Sequence, residues 1–462
     1  MAQGYLWDVV DYVPALVDAQ LTSRGAWIYG SDVADADFGC GILATFTAGE
    51  QLLANSKNNT LYQVNTNTGA LTNRGVVPVG KQNPVQLFDD TVWFDATGAS
   101  TPKVVRATGG PIALAGANVP KATVGTIWHN QVACGGAPGT EDSFRFSPAP
   151  PVALTADWDV NSIIRTAGAI TGMAGLRSVL LIFHASSVER IRGTDIPVGT
   201  DPGDLVLETV FQQAGTTEPK SICYWQENVI FADEHGVHIT DGAVIRNLVQ
   251  QGAISSYWRN LYNHKSSIAA SVFLDYYVIN VVRTDGLNDT LVCDLNRRQW
   301  FRFSNIPGVS SFASGGTIGM ERIWVGISGT SRLARISACF FPSTLIDPQV
   351  DGNGTNVLPY FETPWYKLAP EGRKRVRFVY LSYDARAGPG DVLGVSYILS
   401  PQDTTWISAG NYPATSRYTR YRLPVGKFPY GIAFQVKQLV PTSVTRINEI
   451  AVDAHAAERS RV

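Results

Sequence analysis

The stretch Asp233-Glu234-His235-Gly236-Val237-His238 is the densest grouping of chemistry-bearing side chains in this 462-residue chain. Two imidazoles and two carboxylates could ligate a metal, but only if three or four of them converge on one point. The spacing argues against convergence. Gly236 reads as part of a hairpin turn, and histidines three apart across a turn need not meet, so a solvated turn is expected and no metal ligand is assigned. His129, His184, His264 and His455 each stand alone in the sequence. Cys40, Cys134, Cys223, Cys293 and Cys339 are odd in number, widely spaced and set in apolar runs. That pattern predicts buried free thiols, not a disulfide frame or a zinc site.

Ser400-Pro401-Gln402-Asp403-Thr404-Thr405-Trp406 has the outline of a glycosidase Asp-box turn. It occurs once and lacks the glycine, so it reads as a hairpin whose Trp406 packs on a sheet. No nucleophile elbow, phosphate loop or paired-acid motif stands in a recognisable context. No catalytic, cofactor-binding or metal-binding residue is assigned, and the chain is expected not to be an enzyme. Two basic groupings remain: Arg373-Lys374-Arg375 with Arg377, and Arg417, Arg420, Arg422 and Lys427 interleaved with Tyr418 and Tyr421. Arginine beside aromatics can hold nucleic-acid phosphates and stack on bases. Outward positions of ordinary strands explain the same pattern more simply, because a net charge of −2 and a pI near 6.3 give no global attraction to polyanions.

The elements that must position these groups are short strands. A phrase of two apolar runs around a polar turn recurs down the first three-quarters of the chain. It reads Val85-Gln86-Leu87-Phe88, Asp89-Asp90, Thr91-Val92-Trp93-Phe94, and then Gly125-Thr126-Ile127-Trp128, His129-Asn130, Gln131-Val132-Ala133. It returns around Gln226-Glu227 and Leu274-Asp275, with weaker copies at Leu176-Arg177 and Met320-Glu321. A strand unit repeated every few tens of residues is the signature of a β-propeller. About seven such phrases lie between Phe46 and Ser337, which predicts six or seven blades.

Within this pattern Ile254, Tyr257, Trp258 and Leu261 fall on one face of a short helix, expected to pack on the propeller rim. Past Pro342 the segment Asp347-Pro348-Gln349-Val350-Asp351-Gly352-Asn353-Gly354 reads as a linker. Longer alternating strands follow, such as Arg375–Tyr383 and Val392–Leu399, which predict an antiparallel β-sandwich. The expected division is an all-β chain with an irregular N-terminal segment at 1–45, a β-propeller at 46–342, a linker at 343–358 and a C-terminal β-sandwich at 359–462. No leader peptide or membrane-length apolar run is seen, so a soluble product of the cytosol with no membrane segment is expected. Only 16% of residues are charged against 45% apolar, which suggests burial in an assembly.

The run Ile170-Thr171-Gly172-Met173-Ala174-Gly175-Leu176-Arg177-Ser178-Val179-Leu180-Leu181-Ile182-Phe183-His184-Ala185-Ser186-Ser187-Val188-Glu189-Arg190-Ile191 resembles a phrase of the tail-hub, or packaged-DNA stabilisation, proteins of short-tailed phages. The stretch from Val210-Phe211-Gln212-Gln213-Ala214-Gly215-Thr216 through Val229-Ile230-Phe231-Ala232 resembles the next blade of that family. Phe361-Glu362-Thr363-Pro364-Trp365-Tyr366 through Arg377-Phe378-Val379-Tyr380 is similar to the β-domain that ends many tail-hub and minor tail proteins. The resemblance covers roughly residues 170–450. It implies a virion structural protein of the tail, a hub, nozzle or minor tail protein. Its copies would form a sixfold ring that continues the DNA channel, touch other tail or head-tail connector proteins, and pass DNA without reading its sequence. The N-terminal segment departs from the short-tailed hub pattern, so the position in the tail stays open. The other readings are a glycan-binding or glycan-cleaving propeller on the virion, and a cytosolic propeller scaffold for peptides.

Overall fold

The computed structural model describes residues 38–65, 70–148, 156–160, 162–197, 201, 203–249, 254–261, 268–303, 306, 308–315, 322–327 and 332–336, and beyond these mainly the strands within 8–32 and 360–456. The chain divides into two compact units that are each discontinuous in sequence. One comprises 1–28, 291–306 and 336–462, the other 29–290 and 307–335.

The larger unit is a succession of antiparallel meanders. Sheet 1 is Phe38–Phe46, Gly49–Ser56, Thr60–Val64 and Leu71–Val76. Sheet 2 is Val85–Leu87, Asp90–Trp93, Lys103–Val105 and Ile112–Ala113. Sheet 3 is Val124–Trp128, Gln131–Ala137, Thr140–Phe146 and Ile164–Arg165. Sheet 4 is Gly172–Gly175, Leu180–Phe183, Ser187–Arg192 and Val206–Gln212. Sheet 5 is Cys223–Trp225, Asn228–Asp233, Gly236–Thr240 and Ile245–Asn247. A hairpin of Ala269–Phe273 and Tyr276–Val282 follows. A closing sheet joins Val309–Gly315, Arg322–Ile327 and Arg332–Arg335 to the N-terminal strand Ile28–Asp32.

Apolar clusters lie between neighbouring sheets in cyclic order. Phe46, Leu53, Trp93 and Val105 join sheets 1 and 2. Phe94, Val104, Val132 and Cys134 join sheets 2 and 3. Phe144, Phe146, Met173 and Ile182 join sheets 3 and 4, and Phe183, Val188, Val229 and Phe231 join sheets 4 and 5. Tyr277 Oη donates to Ser221 O at 3.0 Å between sheet 5 and the hairpin. Ser271 and Ser314 hydroxyls meet at 2.6 Å between the hairpin and the closing sheet. Leu43, Leu52, Ala313, Trp324 and Leu333 return the series to sheet 1. Radial sheets packed face to face in a closed cycle make this unit a β-propeller.

Burial falls from the centre outward and explains which strands are apolar. Second strands are sandwiched on both faces, as in the fully buried Leu180–Phe183 and Asp90–Trp93. Outermost strands, such as Ile112–Ala113 and Val206–Gln212, are mostly in water. The helix Ile254–Leu261 forms where expected, and its buried Trp258 donates from Nε1 to Asp233 O at 3.1 Å.

In the smaller unit, one sheet joins Asp8–Val10, Tyr360–Glu362, Gly431–Val440, Val392–Ile398 and Ile407–Pro413, with Gln299–Phe303 parallel to Asp8–Val10. Leu393, Val395 and Tyr397 alternate inward and share a face with Phe434 and Val436 through the register Val395↔Val436 and Tyr397↔Phe434. The other sheet runs Tyr12–Pro14, Leu21–Ser23, Thr445–Ala456, Lys374–Ala385, Thr419–Lys427.

The strand holding residue 46 starts at Phe38 and belongs to sheet 1. Within 1–45 the short strands Asp8–Val10, Tyr12–Pro14, Leu21–Ser23 and Ile28–Asp32 join three different sheets. Such strands are too short to show a pattern of their own, which is why they read as irregular. The expected turn Asp89-Asp90 lies one residue earlier, at Phe88-Asp89, because Leu87 pairs with Asp90. The linker at 343–358 lies outside the described residues, as do Met320-Glu321, His264, Cys339, Arg373, Arg417, Tyr418 and 400–404.

Candidate functional site

The innermost strand of each sheet meets the others around the propeller axis, and the close approach demands small residues. A Cβ on Gly175 would stand 2.0 Å from Ile127 O, so no side chain fits there. Three longer side chains then cross the axis. Gln82, in the loop before sheet 2, donates from Nε2 to Met173 O at 2.8 Å and accepts from Met173 N at 3.4 Å, clamping sheet 4. Lys220, in the 3₁₀ turn Pro219–Ser221, donates from Nζ to Gly39 O in sheet 1. At the other end, Tyr224 Oη lies 2.9 Å from Thr126 Oγ1 and accepts from Gly175 N at 3.1 Å. The Tyr224 ring is 45% exposed while its hydroxyl is enclosed, and burial raises the phenol above its ordinary range. Gln82, Lys220 and Tyr224 thus bridge the axis of one chain from both ends. Sequence reasoning missed all three. The only signal was polar residues beside prolines, in Gln82-Asn83-Pro84 and Glu218-Pro219-Lys220.

Glu218 sits beside Lys220, and desolvation raises its carboxyl above the ordinary value, opposed by the Ile268 N–H and by the Lys220 charge.

The first hairpin of each sheet turns at the end where Tyr224 crosses. The turns at Phe88-Asp89, His129-Asn130, Gln226-Glu227 and Leu274-Asp275 are two-residue loops whose first residue has positive φ: 52°, 47°, 53° and 53°. Neighbouring tips brace one another. Asp89 accepts from Thr47 N and Oγ1, both at 2.6 Å. Gln86 bonds Thr45 N and O, and Trp225 Nε1 donates to Asp275 Oδ1 at 3.0 Å. The hydroxyl and N–H of Thr47 hold the Asp89 carboxyl below its ordinary range.

The histidine-acid grouping resolves into local structure. Asp233 Oδ1 accepts from His235 N at 2.7 Å, Gly236 N at 2.8 Å and His238 Nε2 at 2.8 Å. His238 also stacks on Phe231, while His235 is exposed. The turn is Glu234-His235, and Gly236 opens the next strand. His184 pairs with buried Glu189, Nε2 to Oε2 at 3.0 Å, and its Nδ1 lies 2.9 Å from Ala169 O. Both pairs are enclosed within their sheets and expose no reactive face. His129 is exposed at a turn tip, and His455 stands opposite Arg375 in register. Among the described residues no group of three or more His, Cys, Asp or Glu could hold a metal. Cys40, Cys134, Cys223 and Cys293 are buried free thiols, and desolvation pushes those of Cys134, Cys223 and Cys293 upward.

Of the basic groupings, Arg420 and Arg422 stand opposite Ser382 and Tyr380, and Glu449 stands opposite Ser382 from the other side. Arginines and an acid thus share register positions on one sheet. Trp406 is half-buried just before the strand Ile407–Pro413. No described helix is long and apolar enough to cross a membrane.

No protein-family model matches the chain, and no curated protein matches it. Among solved structures, the chain is similar to the WD40 repeats of RRP9, with a TM-score of 0.44 and 8% identity, over 68% of this chain and 98% of that one. It is also similar to BBS1N in complex with ARL6DN, with a TM-score of 0.44 and 10% identity, over 68% of this chain and 96% of that one. The propeller assignment rests on the cyclic packing of the sheets.

Proposed function

We propose that the chain is a structural protein of a phage tail, a hub, nozzle or minor tail component of the virion. It acts mechanically, not as an enzyme. Copies assemble in a ring, sixfold by the resemblance, around the path of the DNA, and neighbouring tail components dock on them. In this reading sheets 1 to 5, the hairpin and the closing sheet are seven blades, and the two sheets of the smaller unit form the C-terminal β-sandwich.

The observation that carries the reading is the match between resemblance and repeat. The run 170–191 that resembles the tail-hub phrase coincides with the first three strands of sheet 4, and its Glu189 is the buried partner of His184. The likeness therefore follows one packed repeat. The bridged axis also favours a ring. Side chains cross the centre of a single chain, so a DNA path would run between copies. Labelling virus particles with an antibody to this chain tests the proposal.

A further inference from the structure

We propose that the outer strand of sheet 4, Val206–Gln212, pairs with the same strand of a second copy of this chain, antiparallel about a two-fold axis through Leu207. The inference goes beyond the tail reading and does not rest on it.

A strand at the rim of a sheet offers a row of unpaired N–H and C=O groups, and folded chains blunt such edges by shortening, charging or covering them. Most outer edges of the propeller unit are blunted. Ile112–Ala113, Ile164–Arg165 and Ile245–Asn247 are only two or three residues long. Leu71–Val76 carries Arg74, bends at Gly75 with φ 119°, and has its Val76 carbonyl covered by Lys103 Nζ at 2.8 Å. Gln299–Phe303 is covered by Asp8–Val10.

Val206–Gln212 is different. It has seven residues and is the longest outer strand of sheets 1 to 5. Among the described residues nothing pairs with its outer side. It holds no proline, glycine or lysine and is rich in residues that favour strands. Its one charge, Glu208, is matched within the chain by Arg190 Nη2 at 2.5 Å. Val206 is 53% exposed. The ladder to the inner strand Ser187–Arg192 is regular from Val206 to Thr209 and slips only at Val210, where Val188 faces Phe211 and Glu189 faces Thr209.

The order of residues names the occupant, because a two-fold contact must be self-complementary. With the axis through Leu207, that residue meets itself, Val206 stands opposite Glu208, and Leu205 stands opposite Thr209. Opposed residues then share a face of the sheet, as strand pairing requires. Leu205 and Leu207 pack toward sheet 3. Glu208 lies on the other side with Arg190, whose Nη1 donates to Gly242 O of sheet 5 at 2.7 Å. Within the chain Arg190 pairs with Glu208 and Arg192 with Val206. A row across the contact therefore runs Arg190, Glu208, then Val206 and Arg192 of the second copy, with an arginine at each end and no acid facing an acid. An axis through Glu208 would oppose two carboxylates, and one through Thr209 would run the ladder into the slip at Val210.

The test is sedimentation of the purified full-length chain over a concentration series, with Val206→Glu and Val206→Lys beside wild type. Wild type is expected to dimerise. Val206→Glu sets an acid against Glu208 of the second copy twice per dimer and should weaken dimerisation about tenfold or more, while Val206→Lys meets the same carboxylate and should not. Both replace one exposed valine by a charged side chain, so the sign of the charge is what separates them. A second measurement reads the axis itself. Leu207→Cys places a thiol against its own copy, and oxygen should join two such thiols in a disulfide between chains, seen on a non-reducing gel. Val206→Cys, which meets Glu208 instead, should link far more slowly. A wild type that stays monomeric at every concentration overturns the proposal. Equal weakening by Glu and Lys overturns it too, as does equal linking of the two cysteine variants.

Discussion

Asp233 shows how an acid whose neighbours suggest a metal ligand in sequence is taken up by a turn. Its Oδ1 takes two turn N–H groups and the His238 ring. Asp241 behaves alike, held below its ordinary range by the N–H groups of Val244 and Ala243. Glu218 is the exception. Its carboxyl is raised above the ordinary value of 4.5 by desolvation, so the folded state favours the protonated form. That contribution is present below the ordinary value and is lost as pH rises through the raised folded value. Glu218→Gln keeps an acceptor for Ile268 N–H and removes the buried charge. It is expected to raise the thermal midpoint at pH 7 and to leave it nearly unchanged at pH 4, where the carboxyl is already largely protonated. An equal shift at both pH values would show that charge is not the cause.

At the scale of elements, inner strand pairs were legible in the sequence because they are buried on both faces. Leu180–Phe183 and Asn228–Asp233 read as apolar runs around polar turns, and three of the four strongest turns fall where the pattern placed them. Outer strands were less legible, and Ile112–Ala113, two residues long and facing water, carries no alternation to detect. The axial bridges were hidden for another reason, since Gln82 and Met173 lie 91 residues apart and meet only once the cycle closes. Tight packing of innermost strands gives a direct check. Gly175→Ala would press a methyl against Ile127 O and is expected to cost about 1–3 kcal/mol by chemical denaturation. Gly168→Ala, whose Cβ would meet only His184 Nδ1 at 3.7 Å, serves as the near-neutral comparison. Equal stability of the two variants would contradict the close approach.

On the whole-molecule scale, the chain closes its propeller by lending the N-terminal strand Ile28–Asp32 to the sheet that ends at Arg335. Local patterning cannot announce such a pairing, because its partners are some three hundred residues away. Gly30→Pro with Ser31→Pro removes ladder donors from that strand. It is expected to lower the stability of the propeller unit by about 1–3 kcal/mol, measured by denaturant unfolding, and an unchanged midpoint would mean that the strand does not hold the cycle shut. The closed propeller and its bridged axis fit a ring subunit that surrounds a path instead of containing one. The measurement that tests this most directly is electron microscopy of virus particles with a gold-labelled antibody against the chain. Label at the tail or the head-tail junction is the predicted result. Particles without label, with the protein left free in the lysate, would contradict the account.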